Sequence, residues 1–388
     1  VQRSRINEEV PMDFELTDEQ RQLQDSVAKF VSDNYSFEQR RALVATDAGY
    51  SEGNWTQMAE LGWLALSIPE ENGGIGLGPV ETMILMEEFG KGLVAEPYMA
   101  TVIMGAGAVI NGGSDDQKNA ILPGVADGSV KMALGFAERQ SRYNLADVAT
   151  TAEAGGGGYK LNGMKGVVFG APSANKIVVS ARTSGGPRDT DGITLFVVDA
   201  DQAGVSVRGY PTADGMRAGE VTLENAQVGA DVVIGPVGGG LAILEKTIDQ
   251  AIAAIAAEAT GAMSHLNDMT LEYIKTREQF GQPIGRFQVL QHRMVDMFIA
   301  HEEAKSMAMM AAMRVEEDDE KERKKALSAA KVQIGKSGRY VGQQAIQLHG
   351  GIGMTDEYAA GHYFKRLTMV DRTFGDVDFH LKRFSDLS

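Results

Sequence analysis

Few side chains in the sequence have the type and spacing that nucleophilic or metal chemistry needs. The chain has no cysteine, so thiolate nucleophiles, thiolate metal sites and disulfides are excluded. His301 stands beside Glu302 and Glu303, but no second histidine follows at the spacing of metal ligands. His265 and His292 are expected in the core or at an interface, and no Ser-His-Asp arrangement can be argued. The sequence therefore predicts no metal site.

Two glycine-containing segments near the C-terminus are the other candidates for a binding role. Residues 276–285 read TREQFGQPIG, and residues 347–353 read QLHGGIG. Taken alone, Arg277 is explained by a surface salt bridge, and the glycines of the second segment by a helix stop. The second segment is not a dinucleotide-binding fingerprint, because no strand is predicted before it. Their meaning depends on the rest of the chain.

The elements that position these residues change in type along the chain. Thr17 followed by Gln20 resembles a capping box, and apolar helical faces continue to about residue 129. From about residue 130, short β-rich runs alternate with glycine-rich turns, and no long helical period interrupts them. This pattern predicts an antiparallel sheet or barrel rather than βαβ units. After Leu241, long helices rich in alanine and methionine are predicted up to the C-terminus.

Length and charge limit the class of protein further. A chain of 388 residues exceeds the usual limit of one core, so two or three domains are expected. The net charge of -16 argues against nucleic-acid binding, which requires a basic surface. No apolar run is long enough to span a bilayer, and residues 1–11 lack the apolar centre of a secretory signal. We therefore expect a cytoplasmic protein with no membrane partner.

Several motifs resemble the acyl-CoA dehydrogenase family in their order and spacing. Besides the two C-terminal segments, they are residues 60–62, 69–74, 86–90, 113–118 and 216–218. Together they cover almost the whole chain from Met12 onward. The resemblance implies an α+β fold with an N-terminal helical domain at 12–129, a middle β-barrel at 130–238 and a C-terminal four-helix bundle at 239–388.

Two further segments are similar to a narrower group within that family. Residues 138–147 read ERQSRYNLAD, and residues 362–367 read HYFKRL. They resemble the small subunit of pimeloyl-CoA dehydrogenase and related subunits of heteromeric enzymes that degrade steroids and dicarboxylates. The resemblance implies a second, larger chain of the same family in a heterotetramer, with a homotetramer as the alternative.

The same resemblance implies FAD as the cofactor and an acyl-CoA thioester as the substrate. It assigns Arg277 to the FAD pyrophosphate of a neighbouring subunit, where a planar guanidinium suits paired phosphate oxygens. It places Gln288 on the same side, and Gly350 and Gly351 let the backbone approach the dinucleotide. The full set of implied cofactor-binding residues is Arg277, Phe280, Gln288, Gln347, Leu348, His349, Gly350 and Gly351. An electron-transfer flavoprotein is the implied electron acceptor.

The catalytic carboxylate of the family is missing from both of its usual places. In the family a glutamate just before a glycine removes the α-proton of the thioester, but here Phe374 precedes Gly375. The second place, used by some branches, corresponds to Ala251. The nearest acids are Asp249 and Asp376. We expect both as helix caps or solvated carboxylates rather than as displaced bases, because a small misplacement already slows catalysis strongly.

The middle domain also departs from the family pattern. Residues 136–142 replace a Thr-Glu-Pro-Gly-type loop that contacts the flavin ring, and residues 165–169 replace a strand that often supplies tryptophan and threonine. The leading hypothesis is a subunit of a heteromeric acyl-CoA dehydrogenase that contributes to a flavin site shared with a partner chain. The alternatives are an active homotetramer with a displaced acid, a flavin monooxygenase of the same fold and a flavin-free structural subunit.

Overall fold

Helices build the first part of the chain in the computed structural model, which describes residues 15–388. They are α1 (Asp18–Asn34), α2 (Phe37–Val44), α3 (Glu52–Glu60), α4 (Pro79–Gly92), a π-helical segment (Met99–Ala106), α5 (Gly107–Gly112) and α6 (Asp115–Ala126). The predicted capping box begins α1: the Thr17 hydroxyl accepts from the Gln20 N–H at 3.2 Å, and the Gln20 side chain accepts from the Thr17 N–H at 3.0 Å. Residues 12–14 of the predicted first domain lie outside the described residues.

A mixed sheet follows the helices. Its strands are β1 (Met132–Gly135), β2 (Thr151–Gly155), β3 (Gly158–Phe169), β4 (Lys176–Arg182), β5 (Ile193–Asp199), β6 (Val205–Pro211), β7 (Arg217–Gly229) and β8 (Val233–Ile234). The strand order is β6-β7-β3-β2-β4-β5-β8, and β1 pairs with β4. Neighbouring strands are antiparallel except in the β1–β4 and β2–β4 pairs, which are parallel.

The predicted closed barrel is wrong. In the described sheet, β6 and β8 stand at opposite ends of the strand order and do not pair with each other. The physical reason lies in β8, which has two residues and pairs only through Ile234 with Leu195 and Val233 with Phe196. A strand of two residues is too short to pair with the opposite edge strand and close the sheet into a barrel. The middle domain is therefore an open sheet.

Long helices form the C-terminal part. They are α7 (Gly240–Thr276), α8 (Gln288–Arg314), α9 (Glu320–His349), α10 (Ala359–Arg372) and α11 (Val377–Leu387). Between α7 and α8, a small hairpin is made of β9 (Glu278–Gln279) and β10 (Gln282–Pro283). Helices α7 to α10 pack beside one another, and α11 packs on α9. None of the helices in residues 15–388 is long and apolar enough to cross a membrane.

The central helix α7 lies very close to α4 in the N-terminal part. A Cβ atom on Gly261 would stand 1.7 Å from the carbonyl oxygen of Glu87, and a Cβ on Gly90 would stand 1.9 Å from that of Glu258. Because real Cβ atoms do not approach so closely, only glycine permits this crossing. The contact fixes the first helical region on the C-terminal bundle.

A buried ion network ties the three regions together. Arg366 on α10 makes two hydrogen bonds with the Glu258 carboxylate of α7, at 2.6 and 2.7 Å, and a third with Asp214 between β6 and β7, at 2.7 Å. Arg40 on α2 donates to the backbone carbonyls of Asp214 at 2.9 Å and Leu93 at 2.7 Å. The charged side chains of this network are buried, so each depends on its partners for solvation.

Candidate functional site

The main cavity of the described chain lies between the sheet and the C-terminal helices. It has a volume of about 610 Å³, and Phe136, Phe169 and Phe374 contribute aromatic rings to its wall. The rings of Phe136 and Phe374 are 6.3 Å apart, with an angle of 35° between their planes. A cavity of this size is within the range of small-molecule sites.

Phe374 lies in a loop that a buried lysine side chain connects to the end of α10. The loop follows α10, and both Phe374 and Gly375 have positive φ angles, of 61° and 115°. Buried Lys331 on α9 donates from Nζ to three backbone carbonyls at 2.8 to 3.1 Å, those of Val370, Asp371 and Gly375. Burial lowers the pKa of Lys331 to about 8. Helix α9 therefore fixes the position of the Phe374 ring in the cavity.

His380 on α11 adds a further bond to this loop. Its Nε2 lies 3.0 Å from the Phe374 carbonyl oxygen, and because a carbonyl can only accept, Nε2 carries the proton. Burial, together with the charge of Lys331, lowers the pKa of His380 to about 3. The imidazole is therefore neutral and acts as a donor that holds the loop.

At the two positions that the resemblance gives to the family's base, the chain has side chains that cannot accept a proton. Phe374 is 9% exposed and faces the cavity, and Ala251 is fully buried in α7. Asp249 does line the cavity, but it is fully buried and pairs with Arg323 at 3.2 Å and Arg383 at 2.9 Å. Two guanidinium partners occupy its oxygen atoms, so Asp249 is neither the helix cap nor the solvated carboxylate that the sequence led us to expect.

Asp376 is the N-cap of α11. Its carboxylate accepts from the Phe379 N–H at 3.0 Å and from Arg372 at 3.1 Å. Burial acts to raise its pKa, but the hydrogen bond from Phe379 and the charge of Arg372 outweigh it, and the pKa is lowered. The structure thus gives Asp376 the capping geometry that the sequence led us to expect.

The carboxylate of Glu96 was not among the residues predicted from sequence. Glu96 is 3% exposed and lines a second cavity of about 50 Å³, which Phe169 and Phe374 also line. One oxygen accepts from the Ser51 N–H at 3.2 Å, and the other has no hydrogen-bond partner in the described part of the chain. Burial raises the pKa of Glu96 to about 7. The signal that could have found it is an acid between the apolar run 93–95 and Pro97.

A buried ion pair organises the segment that replaces the Thr-Glu-Pro-Gly-type loop. Glu138 accepts from Lys165 of β3 at 2.6 Å and from the Thr150 hydroxyl at 2.7 Å, and Lys165 also donates to Ser180 at 3.0 Å. Although burial acts to raise it, the charge of Lys165 lowers the pKa of Glu138 to about 2. Ala137, beside Glu138, lines the cavity without a hydroxyl group.

An irregularity in β3 directs further apolar atoms to the cavity. The register of β3 against β7 shifts between Lys165 and Val168, and Val167 has a φ angle of 51°. Val167 and Phe169 both line the cavity. The residues of β3 that line the cavity therefore offer no hydroxyl and no tryptophan to a flavin ring, and they do not fit the ring as the family pattern requires.

The two C-terminal segments meet at Tyr273 near the end of α7. The Tyr273 hydroxyl donates to the His349 carbonyl at 3.2 Å, and the two rings are 4.5 Å apart. The Arg277 N–H donates to the Tyr273 carbonyl at 2.8 Å, and Arg277 in turn accepts from the Ile284 N–H at 2.8 Å. One side of the bundle thus carries both motifs.

The residues present on this side fit the diphosphate part of FAD. The Arg277 side chain is exposed and has no hydrogen bond or ion pair within residues 15–388, while Glu272 pairs with Lys275 instead. Gly350 has a φ angle of 65°, and a Cβ on Gly350 or Gly351 would meet no atom within 4 Å. A free guanidinium beside open backbone is suited to phosphate oxygens.

His349 adds an orphaned polar atom to the same place. Its Nδ1–H donates to the Ala345 carbonyl at 2.8 Å, since a carbonyl can only accept. Nε2 is buried and has no partner in the described chain. Burial lowers the pKa of His349, so the ring is neutral and Nε2 is a free acceptor. A buried acceptor of this kind can accept a hydrogen bond from water or from a bound group.

The eight residues assigned to the cofactor lie apart from the cavity that contains Phe374. None of the eight lines it. Leu348 and His349 are buried, and the remaining six are exposed: Arg277, Phe280, Gln288, Gln347, Gly350 and Gly351. Phe280 is 91% exposed. Residues 15–388 contain no group of three or more His, Asp and Glu side chains that could hold a metal ion.

Domain families match nearly the whole chain. Residues 17–129 match the acyl-CoA dehydrogenase N-terminal domain, residues 133–226 the middle domain and residues 238–382 the C-terminal domain. A mitochondrial 2-methylacyl-CoA dehydrogenase of Solanum tuberosum is 30% identical over 366 residues, which cover 93% of this chain and 88% of the relative.

Solved structures have the same fold over almost their whole length. The Tcur3481-Tcur3483 steroid ACAD is 32% identical, with a TM-score of 0.85 over 95% of this chain and 97% of that chain. A structure described as the electron transferring flavoprotein of Acidaminococcus fermentans is 27% identical, with a TM-score of 0.89 over 96% of this chain and 98% of that chain.

Proposed function

Because the chain belongs to the acyl-CoA dehydrogenase family, we propose that it is one subunit of a flavin-dependent acyl-CoA dehydrogenase whose FAD site it shares with a partner chain. FAD, when bound, accepts hydride from the β-carbon of the thioester. The partner chain binds the flavin ring and supplies the glutamate that removes the α-proton. This chain supplies groups to the diphosphate side.

One observation carries this proposal: the cofactor-binding residues face outward while the cavity of the same chain holds none of them. The Arg277 side chain is exposed and has no partner within the described chain, and Gly350 and Gly351 are exposed with open space around them. The cavity around Phe374 has the opposite character, since Ala137, Val167 and Phe169 line it without a hydroxyl group, and Asp249, which also lines it, is paired with two arginines. The chain keeps the exposed residues that the resemblance assigns to the cofactor, and it lacks the groups expected inside the cavity. This combination supports a role toward a neighbouring subunit.

The contacts of Asp249 and Asp376 also support a base that is supplied by the partner chain. A general base needs a free carboxylate within reach of the proton that it removes. Asp249 is held by two arginines, and Asp376 caps α11. Neither carboxylate can approach a substrate without breaking these bonds. The glutamate is therefore assigned to the partner.

An exposed apolar face on α8 supports contact with another subunit. Val295, Phe298 and Ile299 are each about half exposed and follow the i, i+3, i+4 spacing of one helix face. Val289 is 60% exposed on the same helix. Apolar faces of this kind mark protein interaction sites. We assign this face to a second acyl-CoA dehydrogenase-like chain in a heterotetramer.

The narrower relationship and the electron acceptor are also part of the proposal. The steroid ACAD among the solved structures is named for two proteins, which supports a paired arrangement. Similarity to the pimeloyl-CoA dehydrogenase small subunit rests on residues 138–147 and 362–367. We also propose an electron-transfer flavoprotein as the acceptor of electrons, as the family resemblance implies.

The test is to purify the chain alone and after co-expression with a larger acyl-CoA dehydrogenase chain of the same genome. We expect the chain alone to be colourless and inactive, and the complex to contain FAD and oxidise an acyl-CoA. Arg277→Gln should lower the FAD content of the complex. Arg21→Gln, at an exposed position of α1, should not. A yellow, active homotetramer would contradict the proposal.

A second candidate, an active homotetramer with a displaced acid, is favoured by Glu96. A carboxyl group with a pKa near 7 is suited to proton transfer at neutral pH, and Glu96 shares its small cavity with Phe374. Glu96→Gln separates the candidates. Loss of turnover in a homotetramer supports the displaced acid, and unchanged turnover in the complex supports the partner's glutamate.

A further inference from the structure

We propose that His362 is a positioning residue for the cofactor: it holds the backbone of residues 350–356, the glycine segment, where Gly350 and Gly351 are offered to the diphosphate of FAD. The assignment to FAD rests on the proposed function, whereas the hold on the glycine segment is a property of this chain alone. His362 is the first residue of the sequence HYFKRL, residues 362–367, to which the resemblance assigned no role.

The contact between His362 and the glycine segment is a hydrogen bond to backbone. His362 Nε2 lies 3.1 Å from the Asp356 carbonyl oxygen, and because a carbonyl can only accept, Nε2 carries the proton. His362 is 8% exposed, and burial lowers its pKa, so the ring is neutral. The end of the glycine segment is therefore bonded to a buried side chain in the first turn of α10.

The ion pairs of the Asp356 carboxylate add little to this hold. Lys365 Nζ lies 3.6 Å and Arg41 Nε 3.8 Å from its oxygen atoms, and the Asp356 side chain is 65% exposed. Exposed ion pairs contribute little to stability, because water already solvates both charges. The bond from buried His362 to the backbone is therefore the contact that restrains this end of the segment.

The first turn of α10 also lies directly against the glycine segment. A Cβ atom on Gly361 would stand 3.1 Å from the Gly353 carbonyl oxygen and 3.5 Å from that of Thr355. The first distance is shorter than an ordinary Cβ contact, so a glycine at 361 allows this close approach. His362 thus follows the residue at which helix and segment touch.

Gly350 and Gly351 have no packing contacts of their own to fix them. Both are exposed, and a Cβ atom on either would meet no atom within 4 Å. On the N-terminal side, the His349 ring lies 5.1 Å from that of Tyr358. The path of the two glycines is therefore set by the contacts of the residues on either side of them, and His362 supplies the hydrogen bond on the C-terminal side.

His362 is itself held by the N-terminal helices. The ring of Phe37, the first residue of α2, lies 5.1 Å from the His362 ring, with an angle of 79° between their planes. Buried Arg40 on the same helix donates to the carbonyls of Leu93 and Asp214, which fixes α2 on the rest of the chain. A continuous series of contacts thus joins α2 to the glycine segment through His362.

Other residues of HYFKRL fix the helix from which His362 reaches the segment. The Tyr363 hydroxyl donates to the Lys91 carbonyl of α4, and Arg366 pairs with Glu258 of α7. Helix α10 is therefore attached to two neighbouring helices close to His362. A donor on a helix that is held in this way can restrain the segment beside it.

The first test is hydrogen–deuterium exchange of the isolated full chain, measured on peptides that cover the glycine segment. His362→Leu and His362→Phe both lack the donor, and only His362→Phe keeps a ring beside Phe37. Each should make exchange in the segment about fivefold faster, as the loss of one hydrogen bond predicts. His362→Gln supplies a side-chain N–H and should bring exchange back to within about twofold of the wild type.

His265→Leu is the matched control. It removes a histidine ring that stacks on Tyr363 of the same helix, and His265 has no hydrogen bond to the glycine segment within residues 15–388. Exchange in the segment should therefore be the same as in the wild type.

The second test is the FAD that the co-purified complex retains after dialysis. His362→Leu and His362→Phe should retain less than about half of the wild-type amount, because the glycines are no longer held at the diphosphate, and His362→Gln should retain more than either. Unchanged exchange without the donor, equal effects of His362→Gln and His362→Leu, or faster exchange with unchanged FAD would each overturn the proposal. A wild-type complex without FAD would instead contradict the proposed function, and with it the assignment of the segment to FAD.

Discussion

Lys331 Nζ donates to the Gly375 carbonyl at 2.8 Å, so that α9 holds the loop that contains Phe374, the residue at the position that the resemblance gives to the family's base. The lysine is fully buried, and it donates to two carbonyls in the last turn of α10 and to one in the loop that follows. The phenylalanine ring is thus held in the cavity by a dedicated contact. A loop that is held in this way is not free to move Asp376 to the position that the resemblance gives to the family's glutamate.

We predict that Lys331→Met lowers the free energy of unfolding by about 2 kcal/mol at neutral pH, because buried carbonyls lose their donor. The pKa of Lys331 is about 8 in the fold, below its ordinary value of 10.5. Between these values the unfolded chain binds more protons, so the wild type should gain stability relative to the variant as the pH rises. Urea denaturation of both proteins at several pH values measures this gain. If the stability of the wild type relative to the variant decreases as the pH rises through this interval, the burial of a charged lysine is contradicted.

Glu96→Gln should remove a pH dependence of stability whose sign is opposite to the one expected for Lys331. The pKa of Glu96 is raised from 4.5 to about 7 in the fold, so the folded chain binds more protons between these values. Wild-type stability relative to the variant should therefore fall by about 3 kcal/mol as the pH rises through this interval. Denaturation curves of both proteins, with Glu71→Gln as an exposed control, give the difference. A pH-independent difference would show that Glu96 is not a buried carboxyl.

Arg366→Met should destabilise the protein by about 3 to 5 kcal/mol, because it leaves the carboxylates of Glu258 and Asp214 buried without their cation. The exposed pair of Lys29 and Asp33 serves as the control. Lys29→Met should cost less than about 0.5 kcal/mol. Equal effects of the two substitutions, measured by chemical denaturation, would contradict a structural role for the buried network.

Two glycines should respond differently to alanine. Gly261→Ala forces a Cβ against the Glu87 carbonyl oxygen. We expect poor folding or a clearly lower free energy of unfolding, because overpacking typically costs about 1 to 3 kcal/mol or more. Gly351→Ala meets no atom within 4 Å and should leave the melting temperature of the isolated chain unchanged. In the complex it should reduce FAD content, because the new methyl group occupies the space offered to the dinucleotide. Unchanged FAD content would remove Gly351 from the proposed set.

Much of the fold follows from local patterns. The capping residues Thr17 and Gln20 mark the start of α1, and the glycines at 155–158 mark the turn between β2 and β3. Closure of the sheet does not follow from local patterns, because it depends on how far β8 extends along β5. That length is set by long-range packing, which periodicity does not report.

The candidate site is predictable only in part for a similar reason. Motif spacing points to Arg277 and residues 347–351, and the change at Phe374 is visible in the sequence. The pairing of Asp249 with Arg323 and Arg383 joins α7, α9 and α11, which are far apart in sequence. The burial of Glu96 likewise depends on contacts from the sheet and from α7. Such features need the folded chain.

Flavin stoichiometry of the co-purified complex tests the central claim most directly. The FAD content per chain should be measured by absorbance after denaturation, for the wild type and for Arg277→Gln in this chain. We predict fewer FAD molecules than acyl-CoA dehydrogenase chains in the wild-type complex, a further loss with Arg277→Gln, and none on the isolated chain. One FAD on every chain of a purified, active homotetramer would contradict the account.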